Sequence, residues 1–264
     1  MEQALPKIVT FFNTKGGAGK SKLCLGLAYV LHKHGCRVLI VDSDPEQATS
    51  ANVTRLMDPE STFPVEAVIL QAPRYPDPQR PGHLKPDTAA YLAQVLQLGQ
   101  GYDYVFIDLP ARSEEPEQLA ALIGADFVLI PSKPGRADVR VLRDIGIPKL
   151  AKSLANVEHL PVIAIVPNAV QRHNVDKVGI EELTDIAQNN DYIELSVTAA
   201  TVPDSVALEE MTALNVGLDE VVTKKPARDA AITALTNVAL EVRLLNKVRP
   251  AKRKSSAKAA REEA

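Results

Sequence analysis

Apolar residues in this chain gather into short, mostly apolar runs rich in β-branched side chains: Ile8 to Phe12, Arg37 to Val41, Tyr104 to Ile107, Phe127 to Ile130 and Val162 to Val166. Between most of them the apolar positions recur at helical spacing, as over roughly Ser21 to His34. Strands that alternate polar and apolar residues have one wet face, whereas runs without alternation are covered on both. The pattern predicts an α/β fold, a doubly wound and mainly parallel sheet with helices on both faces and ligand chemistry at the carboxyl ends of the strands.

Two stretches depart from this rhythm. Between Asp58 and Asp87 seven prolines suppress periodicity, leaving a short strand at Val65 to Leu70 and an irregular excursion over about 71–86, either a plain surface loop or a partner-binding element. A helical pattern from about Asp229 to Leu245 closes one domain, 1–245, and the segment 246–264 is too polar to pack and reads as a basic, disordered tail.

Charge sharpens that division. The formal net charge is -3, yet Arg243 to Ala264 holds eight Lys or Arg against two Glu. The two cysteines, Cys24 and Cys36, form no C-x-x-C pair, and no secretory segment precedes the first strand, so a reducing cytoplasm is expected. No apolar run approaches the roughly 20 residues of a membrane span, which excludes a membrane role from the reading. The five histidines lack metal-binding spacing.

The chemistry begins at Thr14-Lys15-Gly16-Gly17-Ala18-Gly19-Lys20-Ser21, between the first strand and the first helix. Glycines let backbone N–H groups close on an anion, the helix N-terminus adds its positive end, Lys20 reaches distal phosphates, and Ser21 offers a hydroxyl to Mg2+. The second strand ends in Val41-Asp42-Ser43-Asp44-Pro45-Glu46-Gln47, which brings two carboxylates to the same mouth. Asp108 closes the apolar run Tyr104 to Ile107 and would hold Mg2+ through a water.

Thr14 stands where the strict phosphate-loop pattern has its first glycine, and Lys15 follows at once. KGGAGKS resembles the deviant Walker A motif of the ParA/MinD superfamily of ATPases. The resemblance runs from about Lys7 to Leu245 and implies ATP and Mg2+ at Lys15, Gly16, Gly17, Ala18, Gly19, Lys20, Ser21 and Lys22. Lys15 would cross a dimer interface to the partner's nucleotide. Asp44 would orient the attacking water, or else cap the turn after it; Asp42 would be structural, or share a Mg2+ and lysine network through water. Asn168 would contact adenine, or serve as a turn former, with Pro203 flanking the base. Lys22 departs from the family, which usually has Thr there.

Cysteines for an iron-sulfur carrier, an apolar terminal helix for a membrane-bound relative and a terminal tyrosine cluster for a kinase are all absent from this sequence. What the resemblance leaves is a cargo-positioning ATPase of the ParA type, a homodimer when ATP-bound that holds nonspecific DNA and hydrolyses ATP when a centromere- or cargo-binding partner stimulates it. Lys224, Lys225, Arg228, Arg243, Lys247, Arg249, Lys252, Arg253 and Lys254 are the candidate phosphate contacts on DNA, with a solubilising tail as the alternative. Only 13 residues precede Thr14, so no helix-turn-helix is expected ahead of it. Two rivals stay open: a positioning ATPase for a protein cargo or conjugative-transfer complex, and an ATP-dependent metabolic ligase, for which no further acid, base or nucleophile motif is found.

Overall fold

Parallel pairing dominates the molecule, as the uninterrupted apolar runs require. The computed structural model describes residues 5–44, 47–77, 79, 84–110, 116–171 and 173–245. Among them are β1 (Lys7–Phe11), β2 (Val38–Asp42), β3 (Glu66–Ile69), β4 (Arg74–Pro76), β5 (Leu84–Pro86), β6 (Tyr104–Asp108), β7 (Phe127–Ser132), β8 (Val162–Pro167) and β9 (Ser196–Val197), with helices between all but β3, β4 and β5. Seven strands form one sheet in the order β3-β2-β6-β1-β7-β8-β9, every neighbouring pair parallel. The chain first builds leftward from β1 and then crosses to its right with β7. That reversal opens a crevice at the carboxyl ends of the strands, where α/β sheets bind ligands.

The two faces of the sheet bury different helices because side chains alternate along each strand. Val9, Phe11, Ile40, Phe106 and Leu129 share one core with α1 (Lys20–Lys33), α8 (Val206–Ala213) and α9 (Lys225–Glu241). On the opposite face, Ile8, Leu39, Val105 and Ile107 meet α3 (Thr88–Leu98) and α4 (Pro116–Ile123). Val128, Ile130, Ile163 and Ile165 meet α5 (Arg136–Val141), α6 (Ile147–Leu154) and α7 (Asn174–Asn189). Each large apolar side chain so buried contributes about 1.5–3 kcal/mol relative to exposure. A π-helical turn, Leu142–Gly146, joins α5 to α6, and the short α2 (Thr49–Val53) follows the Asp42 loop.

Three details differ from the sequence reading. The excursion over 71–86 is not wholly irregular, because β4 and β5 pair antiparallel, Arg74 opposite Pro86 and Pro76 opposite Leu84. Proline at both ladder ends suits a two-stranded edge, where a missing N–H is tolerated. The last helix begins at Lys225, not Asp229, with Pro226 in its first turn, where a fixed φ and an absent N–H fit a helix start. β9, two residues long, is too short to leave a pattern.

Candidate functional site

The turn after β1 is shaped by backbone that only glycine adopts readily. Gly19, the residue before α1, has φ 95°, and a Cβ there would lie 2.1 Å from Asn168 Nδ2. No side chain caps α1, so its first N–H groups remain available to an anion. A cavity of about 390 Å³ opens over this end, lined by Gly16, Gly17, Gly19, Lys20, Ser21 and Lys22 from the turn and helix. Asp42 and Asp44 from the end of β2, Asp108 from β6, Lys133 from the end of β7, and Asn168 and Pro203 from farther along complete its walls.

Lys20 is only 7% exposed, and its ammonium donates to the Asn13 carbonyl at 3.4 Å. Burial lowers its pKa, against the pull of Asp108 and Asp44. A buried ammonium so thinly paired gains from a phosphate placed beside it.

Asp108 is the complementary case. Burial pushes its carboxyl up to about 6, opposed by hydrogen bonds from Ser50 and Ser21 and by Lys20. The Ser50 hydroxyl donates to Oδ2 at 2.5 Å, whereas Oδ1 is buried with no hydrogen-bond partner. An orphaned carboxylate oxygen beside a serine hydroxyl fits a hard divalent cation with oxygen ligands. Ser21 and Asp108 are thus the residues that could hold Mg2+. No cluster of three or more His, Cys, Asp or Glu side chains suited to a metal occurs among the described residues.

Asp42 plays another part. Its Oδ1 accepts from the Asp44 N–H, and its Oδ2 accepts from the Ser50 and Ala51 N–H groups. Both oxygens are committed to pinning the loop, so the structural alternative is the one the geometry favours over a water-mediated metal role. Asp44 lines the cavity and also accepts from the Gln47 N–H at 3.2 Å. Between them Ser43 turns the other way and hydrogen-bonds the buried Tyr91 hydroxyl at 2.6 Å.

Of the expected nucleotide contacts, Lys15 and Ala18 lie outside the cavity lining, and Asn168 lines it with its amide already engaged. Lys15 does not line the cavity; its ammonium is 2.8 Å from the Asp138 carboxylate on α5. Ala18 is 1% exposed, its methyl in the core. Asn168 lines the cavity but spends its amide on the Ala18 carbonyl at 2.9 Å, bracing the loop from beneath. Sequence reading missed Ser50, Asp138 and Glu209, the last paired with Lys22 at 3.2 Å. Each is an ordinary polar residue in a helix, and only its partner across the fold gives it meaning.

The four basic candidates among the described residues do not form one patch. Lys224 and Lys225 are exposed at the start of α9, and Arg243 is exposed beyond its end, roughly 25 Å away by the rise of a 17-residue helix. Arg228 is half-buried and donates to the Asp219 carbonyl at 2.9 Å, so it is engaged within the fold. Lys247, Arg249, Lys252, Arg253 and Lys254 lie outside the described residues. No helix among the described residues is long and apolar enough to cross a membrane.

Comparison with known proteins gives this geometry its lineage. The family described as CobQ/CobB/MinD/ParA nucleotide binding domain matches residues 9–216. The probable plasmid-partitioning protein ParA of Thermus thermophilus is 27% identical over 86% of this chain and 81% of its own length. The maintenance of carboxysome distribution protein A of Gloeobacter kilaueensis is 28% identical over 52% of this chain and 54% of its own. An ATP complex of a Cyanothece McdA variant shares the fold with a TM-score of 0.64 at 15% identity, covering 94% of this chain and 100% of that one. The doubly wound sheet, the phosphate cradle and a family match over most of its length together mean that this chain belongs to the CobQ/CobB/MinD/ParA nucleotide-binding family, whose ParA/MinD branch comprises ATPases.

Proposed function

We propose that this chain is a ParA-type positioning ATPase that binds ATP with Mg2+, closes with a second copy of itself, and holds DNA without sequence preference while the dimer lasts. The observation that carries the reading is the pair of lysines with opposite surroundings. Lys20 is buried inside the cavity, and Lys15 stands outside it on Asp138. A lysine of the same loop that points away from its own pocket is free of a local catalytic task and suits a pocket on a second molecule.

The residues divide the work of phosphoryl transfer, which is mostly positioning and charge stabilisation. Lys20 and the unsatisfied N–H groups of α1 bind the phosphates. Ser21 and Asp108 would hold Mg2+, which neutralises charge between the distal phosphates. Asp44, fixed through its own N–H to Asp42, orients the attacking water at the cavity mouth. The partner's Lys15 completes the charge balance only after docking, so hydrolysis is coupled to dimerisation.

DNA is the proposed track because the 27% identical relative is a plasmid-partitioning protein and because Lys224, Lys225 and the residues beyond Leu245 supply cations. Dimerisation doubles that cationic surface, so monomers release DNA. The protein would then be cytoplasmic and associated with the nucleoid, and a cargo-bound partner would trigger release. The carboxysome relative favours a second reading, in which the cargo is a protein body.

Light scattering of the full chain with Mg2+ and a slowly hydrolysed ATP analogue tests the core of this proposal. A dimer is expected for the wild type and a monomer that still binds nucleotide for Lys15→Gln. A wild-type chain that stays monomeric at saturating nucleotide overturns it. Gel shifts with random DNA, with and without the analogue, then test the track.

A further inference from the structure

Lys22 occupies an unfavourable place by local rules. It lies in the first turn of α1, which carries no acidic residue and whose N-terminus is the positive end of the helix dipole. Lys20, two residues earlier, is already a cation in that turn. A second cation there costs about 0.3–1 kcal/mol, which a neighbouring carboxylate offsets. That group is Glu209, whose Oε1 lies 3.2 Å from the Lys22 ammonium.

Glu209 sits in the first turn of α8, a helix capped by Ser205 and packed beside α1. Both partners line the cavity, so the ion pair spans the wall between the phosphate cradle and the segment bearing Pro203 and Ser205. The pair is not locked in: the Lys22 and Glu209 side chains are 43% and 59% exposed. An exchange of partners therefore requires no unfolding and little desolvation.

We infer that Glu209 is an internal competitor of the nucleotide for Lys22. This rests on the nucleotide pocket proposed above. Phosphates entering the cradle offer Lys22 more negative charge than one carboxylate, and the ammonium changes partners, freeing Glu209. Departure of nucleotide returns Lys22 to Glu209, which lowers net affinity and eases exchange. Glu209 is a specificity- and affinity-setting residue acting through Lys22, not a phosphate contact.

The experiment is a titration of fluorescently labelled ATP with Mg2+ into the full-length wild type, Glu209→Gln, Lys22→Thr and the double variant, each first shown to fold by thermal melting. At low salt, Glu209→Gln lowers Kd roughly two- to five-fold, the range of an exposed ion pair. The gain shrinks at high salt and vanishes in the Lys22→Thr background, while Lys22→Thr alone raises Kd. A Glu209→Gln Kd that is unchanged or higher overturns the inference, as does an equal gain with Thr at position 22. Wild-type protein that binds no nucleotide at all would instead overturn the proposed function.

Discussion

Replacing Asp138 by Asn should make the protein dimerise more readily. In the monomer the Lys15 ammonium sits 2.8 Å from the Asp138 carboxylate, with the two side chains 34% and 16% exposed. If Lys15 serves a partner's nucleotide, that pair must break before docking. Partly exposed ion pairs contribute about 0.2–1 kcal/mol, and the low exposure of Asp138 argues for the upper end. Two subunits break two pairs, so removing the carboxylate spares about 2 kcal/mol per dimer, equivalent to a roughly 30-fold lower dimer Kd. Asn keeps the shape and leaves the Asp138 backbone bond to Gly135 in place. Sedimentation velocity across a protein concentration series, with Mg2+ and a slowly hydrolysed ATP analogue, reads the midpoint directly. A midpoint that stays where it was, or moves to higher concentration, would refute the idea that Asp138 restrains Lys15.

Other consequences are as concrete. Asp108, raised from 3.8 to about 6 by burial, binds its proton more tightly in the folded than in the unfolded state. The nucleotide-free fold should therefore gain stability as pH falls from about 6 toward 3.8, by at most about 3 kcal/mol. Melting curves of wild type and Asp108→Asn should show this as a pH-dependent difference between the two, and Mg2+-dependent nucleotide affinity should weaken below about pH 6; parallel curves would remove the buried charge from the account. Gly19→Ala should abolish nucleotide binding in a calorimetric titration while the chain stays folded, since its Cβ meets Asn168 at 2.1 Å and its φ is 95°. Retained affinity would mean that the loop can relax. Tyr91→Phe removes the bond to Ser43 between the two loop aspartates. It should cost about 1 kcal/mol of stability and lower kcat more than it raises KM, whereas a purely structural role would leave kcat unchanged.

The sequence made legible those parts of the site whose chemistry and backbone are local. Glycines at left-handed positions, a lysine inside the loop, and aspartates closing apolar runs are written in consecutive residues, because the proposed phosphate cradle is a turn and the proposed metal ligand, Asp108, is the last residue of a strand. The parallel sheet was legible for a similar reason: burial on both faces erases alternation along each strand. What stayed hidden depends on distant juxtaposition. Asp138 follows Lys15 by more than a hundred residues, and Glu209 follows Lys22 by still more, yet the strand order brings each pair within 3.2 Å or less. Asn168 shows how the two kinds of information interact. Its place after an apolar strand puts it at the cavity, but its amide faces the Ala18 carbonyl, beneath the left-handed turn at Gly19. The local code therefore places the groups that line the cavity, and the topology places the acidic partners of the lysines at positions 15 and 22. On the proposed function the protein uses both: cations on the loop, and carboxylates distant in sequence but adjacent in space that compete for those cations.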